Sequence, residues 1–198
     1  MLGIDPGTRI TGWGVVERVD DARGGSPFLL GGGTLRLVAY GVLKPPADAP
    51  IAARLARIHQ GVRAVLEEHA PDAVGVEEAF GGKNIRSAIR LGEARAVCML
   101  AAALAGRDVH EVPPALVKKA VAGHGGAGKD TVREAVARLL GLAPDAPLPT
   151  YDASDALAVA VCALTRLDAP QGLELGPVGR RRKRARWTLD DVERLGGA

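Results

Sequence analysis

The spacing of hydrophobic residues changes several times along the chain, and each change marks an element. "LGID" (2–5) is a short apolar strand start. "RITGWGVVERV" (9–19) and "LRLVAYGVLK" (35–44) alternate apolar and polar positions as half-buried strands do. The Gly-rich stretch between them, 20–34, reads as a long hairpin connection, so the chain opens as a β-meander. From Ile51 the period lengthens: Ile51, Leu55, Ile58, Val62, Val65 and Leu66 recur every three to four residues, which predicts a helix with one buried face, stopped before Pro71. "AVGVE" (73–77) is short, apolar and bounded, like a central strand covered on both faces. A second helix is expected over 85–104 and a strand over 107–112, ended by Pro113 and Pro114. Three more helices follow at about 115–122, 130–140 and 153–166, with "GHGGAGK" (123–129) as a loop. This order calls for an α/β layered fold with a mixed five-stranded sheet flanked by helices.

Composition bounds the picture. With 198 residues, 47% of them hydrophobic, the chain can build one well-cored domain, expected over 1–167. Residues 168–198, rich in Pro, Gly and Arg, read as a disordered tail with one short helical stretch at 188–195. There is no run of 18 uncharged apolar residues and no basic-then-apolar leader, so the expectation is a soluble cytoplasmic protein with no membrane partner. Cys98 and Cys162 lie far apart in helical, Ala/Val/Leu-rich runs and read as buried small hydrophobes. His59, His69, His110 and His124 show no zinc-ligand spacing.

Charge adds one asymmetry. "RRRKRAR" (180–186) contributes six positive charges against a net of +3, so the remainder of the chain is mildly acidic. Such a run is usually a solvated tail, but it favours a polyanionic partner, nucleic acid above all, and nonspecific DNA tethering is its expected role.

Candidate chemistry lies in carboxylates placed where elements end or begin. Asp5 ends the first strand and Glu77 the fourth; if the two strands are parallel neighbours, both acids project at the sheet edge where open α/β folds build their sites. Alone, Asp5 before Pro6 and Gly7 is more simply a turn-former. Asp152 and Asp155 in "DASD" share one face of a helix head, and either alone could be a cap favoured by the helix dipole. Strand alternation says only that one of Glu77 and Glu78 faces the site. Four acids at one locus would raise each other's pKa unless a cation neutralised them, and an all-oxygen donor set suits Mg²⁺ or Mn²⁺. Two such ions are the arrangement that serves phosphoryl transfer.

Taken together, "LGIDPGTRITGWGV", "VGVEEAFGGKNIRSAIRLGEARAV", "PPALVKKAVAGHGGAGKDTV" and "DASDALAVAV" resemble the RuvC Holliday-junction resolvases of the RNase H-like superfamily, over about Leu2 to Leu164. The resemblance implies that Asp5, Glu77, Asp152 and Asp155 are the catalytic, metal-holding acids, and it selects Glu77 over Glu78. It implies the RNase H-like layer and a homodimer that nicks four-way junction DNA symmetrically, in recombination and repair. It further implies the RuvA–RuvB branch-migration complex as a partner. Phe80 would stack on a splayed base, although a lone aromatic there is more often a core anchor. Lys118 and Lys129 match basic residues near the DNA backbone, with Lys83, Arg86 and Lys119 as neighbours. Helix 85–104 is expected to form the dimer contact.

Two other readings compete. A sugar-kinase or actin-like ATPase also opens with a strand, Asp, Gly and Thr, but needs two related lobes, and no repeat is visible here. A non-catalytic DNA-binding module would use the same acids as caps and turns. The loop ending at Lys129 is not a nucleotide loop, because Asp130 follows where Ser or Thr is required.

Overall fold

The computed structural model describes residues 1–19, 33–78, 84–143 and 149–167. In chain order it contains β1 (Leu2–Asp5), β2 (Thr11–Val19), β3 (Thr34–Leu43), α1 (Ile51–His69), β4 (Ala73–Glu77), α2 (Ile85–Leu104), β5 (Asp108–Val112), α3 (Pro114–Ala122), α4 (Lys129–Leu139) and α5 (Tyr151–Leu167). Every element expected within these residues is present. The tail from 168 onward, its helical stretch at 188–195 and most of the 20–34 connection lie outside the described residues.

Two element starts move by two residues, each for a local reason, and the other ends fall within one residue of expectation. β2 begins at Thr11 rather than Arg9, because the preceding residues form a turn closed by hydrogen bonds between Thr11 and Gly7. α5 begins at Tyr151 rather than Ala153, because Thr150 caps it: the Ala153 amide donates to Thr150 Oγ1 at 3.4 Å and the Ser154 amide to the Thr150 carbonyl at 2.8 Å.

The five strands form one mixed sheet in the order β3-β2-β1-β4-β5. β1 pairs antiparallel with β2, and β2 with β3; β1 pairs parallel with β4, and β4 with β5. Alternation along the central strands sorts the core into two layers. Leu2, Ile4, Val74 and Val76 pack on one face against Ile58 and Val62 of α1 and Ala94 and Cys98 of α2. The other face receives α5, whose residues from Ala156 to Ala163 are all buried, backed by Val117 and Val121 of α3 and Val132 and Val136 of α4.

α5 approaches this second face closely because the strands present glycines to it. A Cβ on Gly3 would stand 2.1 Å from the Ala156 carbonyl oxygen, and one on Gly12 would stand 1.9 Å from that of Asp152. Neither position tolerates a side chain while the helix lies where it does. The glycine floor thereby sets the height of α5 over the sheet and brings its first turn onto the edge where β1 and β4 end.

Candidate active site

Asp5 and Glu77 reach the same edge of the sheet by strand pairing alone. β1 and β4 run parallel with Gly3 opposite Gly75 and Ile4 opposite Val76, so Asp5 and Glu77 come next in the same register. The face is decided by alternation. Gly3 and Gly75 both face α5, and Asp5 and Glu77, two residues further on, face it too. Glu77 is therefore the member of the Glu77/Glu78 pair on the α5 side. Alternation alone left open which of the two takes this side, and the packing of α5 on Gly75 puts Glu77 there, the residue that the resemblance selects.

Asp152 and Asp155 descend from above. Gly12 is the register partner of Asp5 and lies directly beneath the Asp152 backbone, so the first turn of α5 stands over the end of β1. Thr150 is the cap of this helix, which removes capping as the explanation for Asp152.

The electrostatics show how these acids share one space. Burial first, then the charges of Glu77, Asp155 and Asp152, push Asp5 up to about 8, with Lys129 opposing. Burial, then Asp155, push Glu77 up to about 7, opposed by Lys118 and Lys129. Asp155 is raised by burial, against the pull of Lys129, whose Nζ stands 3.5 Å from its Oδ2. Among the described residues no three His, Cys, Asp or Glu side chains close into a ready-made cage. The donor set nevertheless fits a hard divalent cation: it offers only oxygens, it is half-buried, and its charge is uncompensated by the two nearby lysines.

Of the other candidates, Lys118 on α3 and Lys129 at the head of α4 act electrostatically on the acids. Lys119 is exposed on α3, one position further round the helix. Arg86 lies on the first turn of α2 and lines a groove with Ile85, Ile89 and Arg90. Phe80 and Lys83 lie outside the described residues. The cysteines are inert packing groups, as expected: burial pushes the Cys98 thiol up to about 12 and the Cys162 thiol to about 11.

Residues that sequence reasoning passed over tie the site's elements together. Tyr151 donates to Asp130 Oδ1 at 2.6 Å, while Arg133 donates through Nε to the Pro149 carbonyl at 2.7 Å and stacks 5.0 Å from the centre of the Tyr151 ring. This joins the head of α4, which carries Lys129, to the head of α5, which carries Asp155. The exposed aromatic beside "DASD" was the available signal.

The fold and its edge of carboxylates define a class: an RNase H-like α/β layer equipped for divalent-metal chemistry. The family model for crossover junction endodeoxyribonuclease RuvC matches residues 1–163. A crossover junction endodeoxyribonuclease RuvC of Chloroflexus aggregans is 49% identical over 161 residues, covering 81% of this chain and 90% of the relative. One of Rhodospirillum rubrum is 46% identical over 162 residues, covering 82% and 87%. Among solved structures, T. thermophilus RuvC in complex with a Holliday junction substrate matches with a TM-score of 0.72 at 36% identity, over 84% of this chain and 93% of that one. The yeast mitochondrial Holliday junction resolvase Ydc2, at 10% identity and a TM-score of 0.53 over 81% and 77% of the two chains, shares the fold alone. The chain belongs to the RuvC family of crossover junction endodeoxyribonucleases. Among the described residues no helix is long and apolar enough to cross a membrane.

Proposed function

We propose that this protein resolves four-way DNA junctions by paired, symmetric hydrolytic nicks, as a cytoplasmic homodimer serving homologous recombination and repair. The observation that carries the reading is the convergence of Asp5, Glu77, Asp152 and Asp155 from β1, β4 and α5 on one sheet edge, where burial and the neighbouring acids raise the pKa values of Asp5, Glu77 and Asp155. These acids would hold two divalent ions, Mg²⁺ or Mn²⁺. Bound there, such ions supply Lewis-acid activation of a water and stabilise the leaving oxygen of a phosphodiester.

The chain's own residues do the rest. Lys118 and Lys129 flank the carboxylates and steer a phosphate towards them; Lys83, Arg86 and Lys119 extend that contact along the backbone, and Phe80 stacks on an unpaired base. Phosphate contacts of this kind position DNA without reading its sequence, so selectivity for a junction comes from shape and from the spacing of two sites.

α2 supports the dimer. One of its faces is core, through Ala94, Cys98 and Ala101, while the opposite face carries Ile85, Ile89, Ala96 and Leu100 in the open, Ile85 being 80% exposed. An exposed apolar stripe along a whole helix is the mark of a protein partner, here a second copy. The RuvA–RuvB complex is the proposed partner in the cell.

The test is cleavage of a synthetic four-way junction beside a linear duplex of the same arms, with Mg²⁺, Mn²⁺ or no metal. Paired nicks confined to the junction are expected, with Asp5→Asn abolishing cleavage while junction binding persists. An active Asp5→Asn protein would overturn the assignment, and equal cutting of linear duplex would make this a general nuclease.

A further inference from the structure

We propose that Thr11 and Arg54 are positioning residues that set the carboxylate of Asp5 by clamping the turn that follows it. The inference rests on Asp5 being a metal ligand. Asp5 is the last residue of β1, paired with Gly12, and beyond it the strand ladder ends. Pairing with Gly12 fixes the face that Asp5 takes, and the final setting of its carboxylate depends on the next few residues, 6–10, which carry no strand pairing of their own.

That turn is held from two sides. Thr11 is 0% exposed, and its hydroxyl donates to the Gly7 carbonyl at 2.8 Å and accepts from the Gly7 amide at 3.3 Å. Both capacities of a buried hydroxyl thus go to one residue, two positions beyond Asp5. Gly7 leaves no slack in the opposite direction, since a Cβ there would stand 2.2 Å from the Ile10 carbonyl oxygen. From α1, Arg54 donates through Nη2 to the Thr8 carbonyl.

Thr11 belongs to this clamp and not to the reacting groups. It alternates with Gly12, which faces α5, so its side chain points to the opposite layer from the acids. A valine would fill the same space without burying a hydroxyl, so packing alone gives no reason for threonine here. The residue also adjoins Gly12, on which the Asp152 backbone rests, and the clamp thereby ties the first strand's acid to the helix that brings the other two.

The experiment compares full-length wild type, Asp5→Asn, Thr11→Val, Thr11→Ser and Arg54→Met. It reads Mn²⁺ binding without DNA by calorimetry, and single-turnover cleavage at saturating junction. Thr11→Val is expected to weaken Mn²⁺ binding and slow cleavage by about 10- to 100-fold, the usual range for a group that orients a ligand. Junction affinity should stay at the wild-type level, and Thr11→Ser should restore both quantities. Wild-type Mn²⁺ affinity in Thr11→Val would overturn the proposal. A serine variant as impaired as the valine one would also overturn it, by assigning the loss to the buried methyl. If Thr11→Val does not fold, Arg54→Met carries the same expectation, and wild-type Mn²⁺ affinity in that variant overturns the clamp. Asp5→Asn separates the two levels. Undiminished Mn²⁺ binding in it refutes Asp5 as a ligand, whereas loss there with retention in the clamp variants refutes only the positioning role.

Discussion

Asp5 carries a proton across a range in which an ordinary aspartate, with a pKa near 3.8, has lost it, because burial and three neighbouring acids push its value to about 8. Between those limits the folded protein binds more protons than the unfolded chain, so this group makes stability fall as pH rises and stops contributing to the slope above about 8. Glu77 acts in the same sense up to about 7. The buried amine of Met1, whose pKa burial lowers, acts in the opposite sense. The difference between wild type and Asp5→Asn isolates the acid. Calorimetry on metal-free protein should show Asp5→Asn gaining in Tm over wild type as pH goes from 5 to 8, and Mg²⁺ at pH 8 should raise the Tm of wild type more than that of the variant. An offset independent of pH would place the strain elsewhere.

At the scale of elements, the site depends on how low α5 lies on the sheet. Gly12→Ala puts a Cβ 1.9 Å from the Asp152 carbonyl oxygen, where backbone must move because no flexible side chain can yield. Overpacking of this kind costs about 1–3 kcal/mol, readable in urea unfolding. The larger effect should be catalytic, since displacing reacting groups by about 1 Å can cost on the order of 100-fold in rate. A Gly12→Ala enzyme of normal rate would show that the helix head adapts without moving its acids. From Ala156 to Ala163 α5 is buried all round, so the body of the helix has no solvent face along which to relax.

For the whole molecule, the stripe on α2 predicts the assembly. Leu100→Glu places a charge in the middle of that stripe, away from the core face of the same helix, and should convert a dimer to a folded monomer in sedimentation. Nicking by such a monomer should be slower and no longer paired, because one site cannot cut two strands at once. A dimer that survives Leu100→Glu would move the interface to another surface. The folded monomer itself should keep its Mn²⁺ affinity, since each set of four acids comes from a single chain.

The amphipathic period of α1, the bounded run of β4 and the proline stop after β5 identified the elements because each is a local signal, written in consecutive residues. The acids were legible as candidates for the same reason: Asp5 and Glu77 end strands, and Asp152 and Asp155 share a helix turn. What sequence left open was non-local. The parallel pairing of β1 with β4, the seat of α5 on Gly75 that puts Glu77 on its side, and the reach of Arg54 from α1 to the turn after Asp5 all join residues whose neighbourhood arises only on folding. A hydrophobic pattern states which face of an element is buried, and a carboxylate states what it can bind. Which faces meet, and therefore which carboxylates share a cation, follows from packing, because strand pairing sets β1 beside β4 and the close seat of α5 on the strand glycines brings the third segment of chain to the same edge.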